Sequence, residues 1–119
     1  MLRKIAMALI ILAGGLLFSQ SASADQETGR TIEVHVHRFA FVPAEVTMRK
    51  TETVKLRLIS DDVAHSLLIP GLKINQEVTK SHPADITVKP SGAGDFQGKC
   101  GRFCGKGHGS MKFTVHVEN

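Results

Sequence analysis

The amino-acid sequence predicts an all-β fold, an antiparallel sandwich or barrel built from short strands. Three observations carry that expectation. From residue 31 onward apolar residues recur at every second position, not every 3.6. Turn-forming Pro and Gly residues separate the alternating runs at roughly ten-residue spacing. No stretch beyond the N-terminal segment carries a helical apolar stripe.

Each run follows the same logic. Thr31–His37 sets Ile32, Val34 and Val36 on one face against Glu33, His35 and His37 on the other. Met48 falls on a further strand, as packing and not as a ligand. Thr53–Ser60 alternates Val54, Leu56 and Leu58 with Lys55 and Arg57, and His65–Ile69 is a short apolar strand closed by Pro70-Gly71. Lys73–His82 alternates poorly and is expected to be an irregular loop or a short helical turn. Asp85–Lys89 alternates again through Ile86 and Val88, and Met111–Glu118 ends the chain with Phe113, Val115 and Val117 inward. Pro43, Pro83, Pro90-Ser91-Gly92 and the glycines between 101 and 109 mark the remaining turns.

The first residues belong to a different category. Arg3 and Lys4 precede an apolar run, Ile5–Phe18, that ends in Ala22-Ser23-Ala24. A charged start, a short apolar core and a small-residue cleavage site describe a secretory signal peptide. The run is short for a bilayer span, which needs about 20 apolar residues. The expected organisation is a signal peptide over 1–24, a flexible tether over 25–30 and one domain over 31–119, exported to the periplasm or its equivalent. Of the 119 residues, 95 then remain, and with Arg3 and Lys4 gone the formal charge falls from +4 to +2. No basic run interleaved with aromatics is available for nucleic acid. A domain this small has a modest core that a disulfide or a metal would help to hold. No acid–base pair stands out, so no catalytic activity is expected of the isolated chain.

The chemistry is concentrated in one glycine-rich loop. Cys100, Cys104, His108 and Met111 lie at Cys-x3-Cys-x3-His-x2-Met spacing, and His65 follows an acidic turn, Asp61-Asp62. Thiolates, imidazole and thioether are soft or borderline donors that select copper, zinc or iron–sulfur clusters. Arg102, Lys106 and Lys112 would offset thiolate charge, and Gly101, Gly105, Gly107 and Gly109 would let the loop curl round an ion. Four arrangements compete. Two cysteines in an exported chain commonly form a disulfide, but a small ring gains little and leaves His108 and Met111 unexplained. A structural zinc site has no use for Met111. A mononuclear blue-copper site would take His65, Cys104, His108 and Met111, leaving Cys100 spare. The second thiolate asks for a second copper ion.

The loop resembles the binuclear copper (CuA) site of cytochrome c oxidase subunit II and of the C-terminal domain of nitrous oxide reductase. The likeness extends to Phe39-Ala40-Phe41-Val42-Pro43, to Ser60–Ser66 with Ile69-Pro70, and to Gly94–Cys100, so it spans most of Thr31–Asn119. It implies a cupredoxin Greek-key sandwich. It also implies two copper ions bridged by Cys100 and Cys104, with His65 and His108 as terminal ligands, Met111 as a weak ligand to one ion and the Arg102 carbonyl to the other. The implied role is electron transport, with a redox donor such as cytochrome c and an acceptor such as a terminal oxidase. The sequence departs from that pattern at three points. Arg102 stands where the oxidase subunits usually carry Glu, no Trp or Tyr is present, and the only hydrophobic segment is the short leader, where subunit II commonly has a membrane hairpin. These departures favour a free-standing exported domain over a membrane-anchored subunit II with an uncleaved leader. Copper storage or delivery by the same ligands is the competing function.

Phe103, Phe113 and Leu67 are expected to shield the site from water. His35 and His37 share a strand face and are expected on the solvent side, with His116 on a neighbouring strand as the alternative surface metal site. His82 is expected in a loop.

Overall fold

The computed structural model describes residues 14–15 and 29–119. The expected signal peptide, apart from Gly14 and Gly15, and residues 25–28 of the expected tether lie outside the described residues. Nine strands follow in order: β1 Arg30–His37, β2 Ala40–Val42, β3 Glu45–Arg49, β4 Val54–Ser60, β5 His65–Ile69, β6 Ile74–Val78, β7 Ala84–Val88, β8 Gly94–Cys100 and β9 Lys112–Glu118. They form a four-stranded sheet, β2-β1-β4-β7, and a five-stranded sheet, β3-β9-β8-β5-β6. Two neighbours are parallel, β1 with β4 and β3 with β9; the other ladders are antiparallel. The described residues contain no α-helix, and no helix among them is long and apolar enough to cross a membrane.

Period-two alternation does the building. Val34 and Val36 of β1 and Leu56 and Leu58 of β4 are fully buried, and their strand neighbours Glu33, Lys55 and Arg57 face out. The second sheet answers with Met48, Leu67, Ile69, Phe113 and Val115, all at most 1% exposed. Phe41 of β2 and Phe113 of β9 meet across the sandwich as tilted rings with centroids 5.7 Å apart. Pro43 sits between β2 in one sheet and β3 in the other. A residue without an N–H cannot extend a ladder, so the chain changes sheet there.

The segment expected to be a loop or helical turn is mostly strand. After a single 3-10 turn at Pro70–Leu72, closed by Lys73 in the left-handed region at φ 56°, β6 pairs along its length with β5. The alternation was illegible because Gln76 occupies the inward position between Ile74 and Val78. β6 is an edge strand, where polar residues guard against further pairing. His82 lies outside the strands, bridged to Thr79. His116 is not beside His35 and His37, because β9 and β1 belong to different sheets.

Candidate metal centre

Ladder register brings the donors together. Leu67 of β5 pairs with Cys100 of β8, so the two share a face, and His65 lies two residues before Leu67 on that same inward face. β8 ends at Cys100, and the chain crosses the end of the sandwich before returning as β9. A ring nitrogen of His65 and the Sγ atoms of Cys100 and Cys104 all lie within 4.8 Å of one another. The two sulfurs are 3.8 Å apart, both thiols free. The Cys100 thiol donates to the Arg102 carbonyl at 3.0 Å and the Cys104 thiol to Met111 Sδ at 3.4 Å. His108 Nδ1, at the start of a 3-10 turn, is 3.8 Å from Cys104 Sγ. All six sequence-predicted positions, His65, Cys100, Arg102, Cys104, His108 and Met111, therefore converge on one end of the fold.

His65 is poised on one side only. Nε2 donates to Asp62 Oδ1 at 2.7 Å, which in the neutral ring leaves the lone pair on Nδ1. That Nδ1 is buried and is the one such side-chain N or O without a hydrogen-bond partner among the described residues. Buried polar atoms are nearly always paired, so an orphaned nitrogen on a ring that lies within 4.8 Å of both thiols fits a missing ligand bond. Burial works to raise the pKa of Asp62. Donation from the Arg38 N–H, the His65 ring and the Val63 N–H overcomes it and holds the carboxyl at about 2. Cys104 behaves oppositely. Burial, with the thiol and charge of Cys100, pushes it up to about 11 against a weaker pull from Arg38. Without a metal Cys104 is thus held as a thiol, and a cation must displace its proton on binding.

The loop is braced by residues that the motif does not contain. Arg38 donates from Nε to the Cys104 carbonyl at 2.9 Å while its backbone N–H holds Asp62 Oδ2 at 2.8 Å, so one residue ties both halves of the centre. The Phe39 ring lies over the loop glycines. A Cβ on Gly107 would fall 2.5 Å from that ring, and one on Gly105 would fall 2.8 Å from it. Gly105 also has φ +140°, a conformation that side chains resist. Arg38, Phe39 and Asp62 were missed as site residues. The acidic turn before His65 was a legible hint of Asp62, whereas nothing local marks Arg38, 66 residues from its carbonyl partner.

Two expectations need correcting. Phe103 does not shield the centre: it is 76% exposed, because the loop turns its side chain outward between two buried cysteines. Phe113 and Leu67 are fully buried as expected. Arg102 does not face the thiols either; its guanidinium pairs with Glu77 of β6, and Arg38 is the cation that acts on Cys104.

The donor set fits copper. Two buried thiols, a buried thioether, an orphaned imidazole nitrogen and a second imidazole at the rim are the soft and borderline ligands that copper prefers.

The chain is 38% identical over 68 residues to a probable cytochrome c oxidase subunit 2 of Streptomyces avermitilis, covering 57% of this chain but 21% of the relative. It is 25% identical over 104 residues to cytochrome c oxidase subunit 2 of Thermus thermophilus, covering 85% of this chain and 77% of that one. Among solved structures, the periplasmic domain of subunit II of cytochrome oxidase of Bradyrhizobium japonicum superposes with a TM-score of 0.68 at 16% identity. It covers 75% of this chain and 84% of its own. That likeness is one of fold. The model of the cupredoxin-like domain matches residues 7–113, most of the length, and the two-sheet topology agrees with it; the chain belongs to the cupredoxin-like domain family.

Proposed function

We propose that the chain is an exported electron-transfer domain with a binuclear copper centre of the CuA type. Cys100, Cys104, His65 and His108 would hold the two ions, with Met111 Sδ and the Arg102 carbonyl as weaker donors. The observation that carries this reading is the buried His65 ring, its Nδ1 unpartnered, grouped with two free thiols 3.8 Å apart. Copper bound there would supply one-electron chemistry. The protein supplies fixed donors, a dry inner wall of Leu67 and Phe113, and an imidazole whose outer nitrogen is locked by Asp62. Redox partners of the respiratory chain, cytochrome c or a terminal oxidase, follow from the relatives' names, and a leader over 1–24 would deliver the domain to the periplasm.

The test is to load the reduced protein with copper, count the metal and record visible and electron paramagnetic resonance spectra. Two coppers per chain with a seven-line mixed-valence signal is the expected result. One copper with a four-line signal, or a Cys100–Cys104 disulfide that takes up none, defeats it. Cys100→Ser should abolish the two-copper signal; its persistence would remove Cys100 from the ligand set. With no Trp or Tyr, the chain lacks a counterpart of the aromatic electron-entry patch of the subunits it resembles, which favours copper delivery as a second reading. Rapid loss of copper to a chelator would support delivery, and retention would support electron transfer.

A further inference from the structure

The rim around the metal centre carries a surface that ligand binding does not require. Residues 96–117 include Lys99, Arg102, Lys106 and Lys112 and no carboxylate at all. Among the described residues, Lys99, Lys106 and Lys112 have no ion-pair partner, and Arg102 has Glu77. Lys99 and Lys112 even stand directly opposite each other in the β8–β9 ladder, where like charges repel. The carboxylates on the facing turn are engaged: Asp62 takes the Arg38 N–H and His65, and Asp61 takes His35.

Phe103, next to Arg102, is 76% exposed, its ring 5.8 Å from that of His108, while Lys99 and Lys112 line a separate depression with Gly109. A shallow depression lined by Arg38, Val63, Ala64, Arg102 and Gly105 opens beside Phe103, with Cys104 in its wall. An exposed aromatic next to arginines and uncompensated lysines has the anatomy of an interface anchor inside a polar ring. A lone aromatic gives no stacking track for a nucleic-acid strand.

We propose that this face docks a redox protein with an acidic surface, Phe103 entering an apolar recess of the partner while Lys106, Arg102 and the Lys99–Lys112 pair steer its approach. The inference rests on the copper reading for its electron-transfer role and narrows the partner to one of negative charge. Phe103 and His108 would then lie between the partner and the metal.

The test titrates the full chain, reduced, metal-free and isotopically labelled, with two haem proteins as probes: soluble cytochrome b5, whose haem edge is acidic, and basic horse-heart cytochrome c. Cytochrome b5 should move the amides of residues 102–108 and 38–39, and its affinity should fall about tenfold between low and physiological salt, as screening requires. Phe103→Ala and Lys106→Glu should each weaken it by about tenfold while leaving other amides in place. Three results overturn the proposal. These are equal or tighter binding of cytochrome c at the same amides, cytochrome b5 binding untouched by both variants, or tighter occupation by anionic vesicles or oligothymidine. A seven-line copper spectrum with no cytochrome b5 binding overturns the docking surface alone. Binding without copper uptake supports the surface and overturns the copper reading.

Discussion

Gly107 should tolerate alanine only when Phe39 is shortened with it. The backbone at Gly107 is ordinary, φ −89° and ψ 6°, so nothing intrinsic demands glycine. The demand comes from a Cβ that would sit 2.5 Å from two atoms of the Phe39 ring, where carbon atoms rest at about 3.5–4.0 Å. One of the two must move by about 1 Å. Phe39 is 38% exposed and packs on the loop from outside, so the ring is the part free to swing away. Complete burial of a Phe side chain contributes about 1.5–3 kcal/mol, so expelling this partly buried ring should cost about 1–2 kcal/mol. Phe39→Ala should lose a similar amount by itself. In the double variant the clash is gone and Ala at an ordinary φ is neutral or slightly favourable, by about 0.4–1 kcal/mol. The predicted coupling is thus about 1–2 kcal/mol, read from urea unfolding of the reduced, metal-free protein. Gly105→Ala is the control. Its Cβ would also meet the Phe39 ring, at 2.8 Å, but its φ of +140° opposes any side chain, so the backbone part of its cost should survive removal of that ring. Additive behaviour of Gly107→Ala and Phe39→Ala, or complete rescue of Gly105→Ala by Phe39→Ala, would refute the packing argument.

Other outcomes follow from the same structure. Asp62→Asn keeps at most two of the three hydrogen bonds made by the carboxylate. It should weaken copper affinity by about 10–100-fold, measured by competition with a chelator; unchanged affinity would free His65 from Asp62. Phe113→Ala should destabilise by about 3–5 kcal/mol because the ring is fully buried against Phe41. Phe103→Ala should shift stability by no more than about 0.5 kcal/mol. The pKa of His35 is raised by its hydrogen bonds to Asp61 and then Glu33. Its contribution is therefore complete below about 6.5 and is lost as pH rises through the raised value. Urea midpoints of the wild type and His35→Gln should differ most near pH 5 and converge in mildly alkaline buffer.

Most of the fold was legible because a half-buried strand writes itself as alternation. Val34, Val36, Leu56, Leu58, Val115 and Val117 are inward as their spacing requires. Legibility failed where the inward position is polar, as at Gln76, since an edge strand lies under less apolar cover than a central one. At the centre, residue type and spacing singled out six positions that the register brings to one end of the sandwich. Side-chain direction was not legible. Phe103 sits between two buried cysteines in the sequence and still points to water, while Arg38 reaches the loop through a contact that only the tertiary fold creates. In the sequence the loop glycines signal only freedom to curl, whereas in the structure Gly107 makes room for the Phe39 ring.

The register of Leu67 against Cys100 also has a kinetic side. Cys100 and Cys104 are four residues apart and meet by local chain motion, on the timescale of tens of nanoseconds typical of short loops. The His65 imidazole is delivered only when β5 docks on β8, a long-range pairing that must wait for the slower closure of the sandwich. A newly made chain therefore presents two neighbouring thiols well before it presents a complete set of donors. Folding is the step that encloses the two thiols with the other donors, so any variant that slows β5–β8 docking should lengthen the interval in which the thiols can be oxidised, even if the finished structure is unchanged.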